Sequence, residues 1–281
     1  MLNKKKYLNK IITSLDLIKY DKAYLFNNIY RKNQERLSTK FLPQGWHWIF
    51  FNDTILSSHL AEDGHPVRGK FFPKLGGYKR MFASSTIKFH KNFQYNTLVK
   101  KTSQVIDIKS FEKTKTKLHF IEIRNIYSIK NRHLLEERQK IAFIKNDFIS
   151  KGNRSFNLEN LIFLCGKKYK LNNIILFRYS ALTYNSHRIH YDIDYVRKHE
   201  KYKNLLVQGP LLANIIIDNI KKKFKNNLKE FNFKIYKPIF VNEEFTIKFY
   251  ENKLNKKKIH IFILKNKEAY VALTAEGFFS N

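Results

Sequence analysis

The sequence predicts an α+β chain built from two similar units, each a helix followed by four or five antiparallel strands. Three observations carry this. Short β-branched and aromatic runs alternate with polar turns over most of the chain. One segment, Leu211 to Phe224, is apolar over a helical length and turns polar only at its end. The segment Phe89-His90-Lys91-Asn92-Phe93, then Asn96, returns as Ile235-Tyr236-Lys237-Pro238-Ile239, then Asn242, at a constant offset. A helix this apolar cannot stay solvated, so each sheet is expected to wrap one. The polar stretch 149–160 divides the chain into units 1–150 and 151–281.

In chain order, residues 1–40 read mostly as helix. Ser14 or Asp16 is its cap, and Leu17, Tyr20, Tyr24, Leu25 and Ile29 recur at helical spacing. Pro43 and Gly45 end it. Trp46-His47-Trp48-Ile49-Phe50-Phe51 reads as a strand or buried turn. Asp63-Gly64-His65-Pro66 is a turn and 69–77 a loop. Strands are expected at 81–89, 98–108, 118–127 and 141–144. In the second unit an extended entry, Ile174 to Tyr179, precedes a polar stretch. The helix at 211–224 follows, then strands at 231–236, 245–250, 259–264 and 269–279.

Composition narrows the class. With 281 residues and 43% apolar content, the chain can bury a sizeable core. The run Leu205 to Ile220 is interrupted by Gln208, Gly209, Asn214 and Asp218, so no membrane span is expected. The N-terminus does not read as a signal peptide. A single cysteine, Cys165, fits a reducing, cytoplasmic setting and reads as a small buried hydrophobe. The net charge of +31 is nearly all lysine, in a chain also rich in Asn, Ile and Phe, the usage of an AT-rich genome. Its runs (Lys4–Lys6, Lys221–Lys223, Lys256–Lys258) are too short for an interaction tail, so no nucleic-acid partner is expected. A basic surface does suit an anionic cofactor or an acidic carrier protein.

The densest chemistry lies between Phe177 and Asp192, where Asn185, His187, Arg188 and His190 fall within six positions. Gly209 follows, at the entry of the apolar helix. This pairing points to a catalytic imidazole facing a helix N-terminus, where unpaired N–H groups and the dipole favour developing negative charge. Glycine there admits close approach, and Pro210 offers no N–H. Other readings of the stretch are a core histidine, or a metal site of His187, His190, Asp192 and Asp194. Arg178 and Arg188 either pair with Asp192 or Asp194, or hold a substrate carboxylate or phosphate. His65, His90 and Trp46 read as packing or turn residues. Ser180 and Thr183 lack the glycine-flanked elbow of a serine nucleophile.

Asn185-x-x-x-x-His190 and Val207-Gln208-Gly209-Pro210-Leu211-Leu212-Ala213 resemble the hydratase motif and helix entry of the MaoC-like hot-dog hydratases and dehydratases. With Trp46-His47-Trp48, Asp63-Gly64-His65-Pro66, Arg80-Met81 and Phe89-His90, the chain resembles the two-domain subfamily. That subfamily contains mesaconyl-C4-CoA (itaconyl-CoA) hydratases and mitochondrial-type 3-hydroxyacyl-thioester dehydratases. The resemblance implies a double hot-dog fold with a non-catalytic first domain. It implies a hydro-lyase acting on a 2-enoyl or 3-hydroxyacyl thioester of coenzyme A or an acyl carrier protein. His190 would be the acid/base, Asn185 would orient water, and Gly209 would donate to the thioester oxygen. Arg188, Arg178, Tyr184 and Gln208 would contact substrate. No cofactor and no metal are implied, and a homo-oligomer is compatible. Asn185 stands where the wider group has Asp, and Gln208 where relatives often have His; an amide cannot transfer a proton as a carboxylate does. Within the resemblance the favoured activity is a mesaconyl-C4-CoA/itaconyl-CoA-type hydratase, since a basic protein suits an acyl group with its own carboxylate. A 3-hydroxyacyl-[acyl-carrier-protein] dehydratase is the alternative of the same chemistry. A non-catalytic acyl-thioester or anion-binding protein is the alternative of another class.

Overall fold

The computed structural model describes residues 2–30, 36–113, 116–145, 156–265 and 270–279. The strands are β1 (Ile11–Leu17), β2 (Tyr78–Phe89), β3 (Leu98–Lys113), β4 (Thr116–Ile129), β5 (Arg132–Lys145), β6 (Leu161–Lys170), β7 (Leu228–Ile235), β8 (Glu244–Asn252), β9 (Lys258–Lys265) and β10 (Tyr270–Phe279). The helices are α1 (Tyr20–Asn27), α2 (Asn173–Leu182), α3 (Ile193–Lys198) and α4 (Gly209–Phe224). All ten strands join one antiparallel sheet in the order β1-β3-β4-β5-β2-β7-β10-β9-β8-β6.

That order is a palindrome about the β2·β7 seam. Read outward from the seam, β2-β5-β4-β3-β1 mirrors β7-β10-β9-β8-β6. The repeat seen in the sequence lies at equivalent corners. Asn96 and Asn242 both take left-handed backbone, at φ 59° and 60°. Their N–H groups donate to Ile18 and Leu171, at the inner ends of the two edge strands. Asparagine tolerates that conformation better than most residues.

The two halves differ in what fills the sheet. In the second half α4 is buried on nearly every face, from Leu211 to Ile220, as its all-round apolar sequence requires. The first half has no counterpart of α4 among the described residues. In its place stands a 3₁₀ turn at Trp46–Ile49, pinned to α4 itself. The Trp46 indole N–H donates to Asp218 at 3.0 Å, the Tyr30 hydroxyl donates to the same carboxylate, and Asn214 donates to the Gly45 carbonyl at 2.7 Å. Among the described residues, a long central helix is therefore seen in the second unit only. The described residues of the first half thus leave room under its part of the sheet.

Three local expectations are corrected. The N-terminal helix is short: Ile11–Leu17 is the edge strand β1, paired with β3, and only Tyr20–Asn27 is helical. Asp16 caps nothing there; its carboxylate accepts from the Phe51 N–H at 2.7 Å. The segment Ile174 to Tyr179 is helical, because the Asn172 side chain accepts from the Ile175 N–H and nucleates α2. Cys165 lies on the edge strand β6 and is only half-buried. Of the expected linker, 149–155 lies outside the described residues. Among those residues, no helix is long and apolar enough to cross a membrane.

Candidate active site

A cavity of about 670 Å³ opens between the two halves, lined by α2, the loop after it, the start of α4 and the concave face of the first half. His190, Asn185, Gly209, Gln208 and Tyr184 all line it. Arg178 and Arg188 are not among the lining residues. Arg188 donates through Nε and Nη2 to Asp192 at 3.0 and 2.8 Å and stacks on Tyr195. Arg178 donates to the Asn28 carbonyl. The structural alternative weighed for these arginines is the one observed for Arg188.

His190 sits in a 3₁₀ turn, Arg188–His190, and is buried. Its Nδ1 lies 2.8 Å from the Leu206 carbonyl. A carbonyl only accepts, so Nδ1 carries the proton and Nε2 keeps its lone pair. Leu206 is itself held by its N–H to the Ile189 carbonyl, so the turn and the approach to α4 clamp one another. Burial pushes the imidazole pKa down to about 4, against the raising effect of the Leu206 bond. It is a neutral base at physiological pH.

Asn185 follows Tyr184, which takes left-handed backbone (φ 50°) to end α2 and stands exposed at the mouth. The Asn185 Oδ1 accepts from the His187 N–H at 3.1 Å. That bond fixes the amide, and among the described residues its Nδ2 has no partner. Gly209 is the first residue of α4, followed by Pro210. Its N–H also has no partner among the described residues, as expected for a helix N-terminus. A Cβ at Gly209 would meet Ile235 Cδ1 at 2.8 Å and Phe82 Cβ at 3.9 Å, so the chain here is as thin as it can be. Gln208 donates to the Leu176 carbonyl and to Ser180 Oγ, while its Oε1 is buried without a partner.

The structure adds residues that sequence spacing did not bring to the site. His65 packs against His187 with ring centroids 3.9 Å apart and the planes tilted by 47°, and His187 meets His190 edge-on at 5.4 Å. Asp63 stands beside His65 and donates nothing; it accepts from the His65 N–H and from Arg68. His65 is held down to about 4 by burial first, then by Arg80. His187 lies well below its usual value for the same leading reason. One ligand atom each from Asp63, His65 and His187 falls within 4.8 Å of the others. Both oxygens of that carboxylate are already engaged, and Arg68 and Arg80 add positive charge, so the set fits a neutral imidazole cluster better than a dication. The metal set considered from sequence does not assemble: Asp192 is taken by Arg188 and caps α3, and Asp194 is exposed. The only sequence signals for the cluster were the Asp63-to-Pro66 turn and the spacing of His187 and His190.

These shifts set a pH prediction. An unfolded histidine binds its proton below about pH 6.5. In the fold, His65 and His190 bind theirs only below about 4. Between those values the unfolded chain holds more protons, so stability falls as the pH drops through this window. Activity that needs neutral His190 should persist to the same limit. The acid limb of kcat/KM, read in short pH-jump assays, is expected near pH 4 to 5; a limb at 6.5 would show an unperturbed imidazole.

Residues 45–241 match the profile of the family named hydroxyacyl-thioester dehydratase type 2. The chain belongs to that family. It is 30% identical over 201 residues to the mesaconyl-C4-CoA hydratase of Chloroflexus aurantiacus, covering 71% of each chain. It is 26% identical over 237 residues to the mitochondrial hydroxyacyl-thioester dehydratase type 2 of Schizosaccharomyces pombe, covering 73% of this chain and 77% of that one. Among solved structures, HtdX of Mycobacterium tuberculosis aligns with a TM-score of 0.69 at 11% identity, over 96% of this chain and all of that one. A second M. tuberculosis protein, described as a double hot-dog, aligns at 0.61 with 9% identity over 96% of each chain. This member of the dehydratase family is thus a double hot-dog protein and an enzyme of the hydro-lyase class.

Proposed function

We propose that this enzyme adds water to, or removes it from, a 2-enoyl/3-hydroxyacyl thioester, with mesaconyl-C4-CoA/itaconyl-CoA-type hydration as the favoured activity. The observation that carries the chemistry is one cavity lined both by a neutral imidazole with Nε2 free and by an unpartnered N–H at a helix start. In hydration, His190 Nε2 takes a proton from water as the oxygen bonds to C3. The π electrons move toward the thioester oxygen, where the Gly209 N–H meets the developing charge. The imidazolium then returns its proton to C2, and the carbonyl re-forms. One base acting twice places H and OH on the same face. Dehydration is the reverse.

Asn185 holds the water through Nδ2, its Oδ1 being committed to the turn. Asn185→Ala is therefore expected to lower kcat by about tenfold or more, the loss of one hydrogen bond that matters in the transition state. Unchanged kcat would remove the water-positioning role. In this reading residues 151–281 carry the catalysis and residues 1–150 supply the far wall. No cofactor is used beyond the coenzyme A or acyl carrier of the substrate, and the cytoplasm is the inferred compartment.

The identity to the Chloroflexus mesaconyl-C4-CoA hydratase supports the favoured acyl group. The aromatic lining of Trp48, Phe50, Phe51 and Phe82 supports the second reading, a 3-hydroxyacyl-[acyl-carrier-protein] dehydratase with a longer apolar chain. Initial rates on mesaconyl-C4-CoA, itaconyl-CoA, crotonyl-CoA and a long-chain enoyl-CoA separate the two. Preference for the long chain would decide against the favoured acyl group. Binding of all four without turnover would favour a non-catalytic thioester-binding protein.

A further inference from the structure

Arg80 lies on β2 and lines the cavity, half-buried. Its guanidinium rests on the Phe72 ring at 4.6 Å. Among the described residues it makes no hydrogen bond and no ion pair. Its surroundings do not neutralise it. Asp63 is taken by Arg68 and His65. Asp53 acts on it electrostatically but is exposed and lies outside ion-pair contact, and it acts on Lys101 as well. Lys101 also lines the cavity, with the Tyr127 ring 5.8 Å away and the buried Glu137 carboxylate, then Asp53, acting on it electrostatically. Arg80, Lys101 and Lys237 thus line a partly open cavity together with Asp53, none of them in ion-pair contact with it among the described residues, and five-donor Arg80 has every donor open. Such charges are retained at a cost unless an anion completes them.

The position defines which anion. Phe82 would touch a Cβ at Gly209. Arg80 is two residues before Phe82 on the same strand, hence on the same face and about 7 Å along it. A thioester oxygen at the Gly209 N–H thus places a short acyl chain along the face of the strand that carries Arg80. A carboxylate on such a chain matches the guanidinium fork bidentately.

We propose that Arg80, supported by Lys101, is the specificity-determining subsite for a carboxylate carried on a short acyl chain. This rests on the hydratase reading and deepens it. The test compares kcat/KM for mesaconyl-C4-CoA and crotonyl-CoA, thioesters of similar length with and without the acyl carboxylate, in the wild type and in Arg80→Gln and Arg80→Lys. The wild type should prefer the carboxylated substrate. Arg80→Gln should lower that preference by about 10- to 150-fold, mainly through KM, the loss of a charge-assisted bond. Arg80→Lys should restore part of it, since a point charge replaces the fork. Wild-type preference for crotonyl-CoA would overturn the subsite while leaving the hydratase reading intact. An equal fall on both substrates would assign Arg80 to the phosphates of coenzyme A or to folding, and would also overturn it. No turnover of either thioester would sink the hydratase reading itself, and the subsite with it.

Discussion

Replacing His190 by alanine lowers kcat by about 10²- to 10⁴-fold, the range of a positioned general base. His190 is the only imidazole here whose tautomer is fixed by a backbone carbonyl and whose other nitrogen is left to the cavity among the described residues. Its neighbour His187 has no such anchor and sits deeper in the imidazole cluster. The expected loss falls on kcat with KM little changed, because proton transfer belongs to the transition state. The variant also frees the Leu206 carbonyl, so a folding defect must be separated from a catalytic one. His190→Gln serves this purpose, since an amide N–H can replace the Nδ1 donor while providing no base. If Gln keeps wild-type melting behaviour and still loses the activity, the loss is chemical. Activity within a few-fold of wild type in both variants would remove His190 from the mechanism.

Gly209→Pro is the second large effect, about 10²- to 10³-fold in kcat, the usual cost of one oxyanion donor. Proline at the first helical position suits the helix, and Gln208 already has the extended backbone (φ −65°, ψ 132°) that a following proline requires. The substitution therefore removes one N–H with little change to the backbone. Its added ring atoms would crowd Ile235, as a Cβ alone would at 2.8 Å. Pairing it with Ile235→Val, which lacks Cδ1, relieves that contact. Gly209→Ala/Ile235→Val keeps the N–H and should retain most of the activity, while Gly209→Pro/Ile235→Val should not. Equal activity in the two double variants would show that the N–H does nothing.

Much of this site was legible in the sequence because its parts are local. Asn185, His190 and Gly209 lie within 25 positions, and the residues that shape them follow immediately. The helix α4 was legible for the same reason: its mostly apolar stretch from Leu211 to Ile220 has only one place to go. The edge strands were not. β1 and β6 expose most of both faces, so their residues lack the one-sided burial that marks a strand. β1 also runs into a real helix within three residues, which extended the helical pattern backward over it. That the described residues of the first half hold no long central helix could not be read from its strands, whose order mirrors that of the second half.

The contributions of Arg80, Lys101, Asp63 and His65 were hidden for a different cause. Arg80, Lys101 and His65 stand about 90 to 125 positions from His190 yet line the cavity with it, the first two from strands of the first half and His65 from the loop before them, with Asp63 beside His65. Arg188 and Arg178 looked attractive by adjacency. Helical spacing placed Asp192 four residues beyond Arg188, and that local pair forms instead. Net charge could not single out a position, since Arg80, Lys101 and Lys237, which line the cavity, are three of 54 basic residues.

The central claim is that this protein adds water across an enoyl thioester, and heavy-oxygen water tests it most directly. The purified chain is incubated with mesaconyl-C4-CoA in that solvent, the enoyl absorbance is followed, and the product is read by mass spectrometry. The account predicts falling absorbance and one heavy oxygen at C3 of a hydroxyacyl thioester, with incorporation abolished in His190→Gln. Free coenzyme A with the acyl chain still unsaturated would instead show thioester hydrolysis, and would contradict the account.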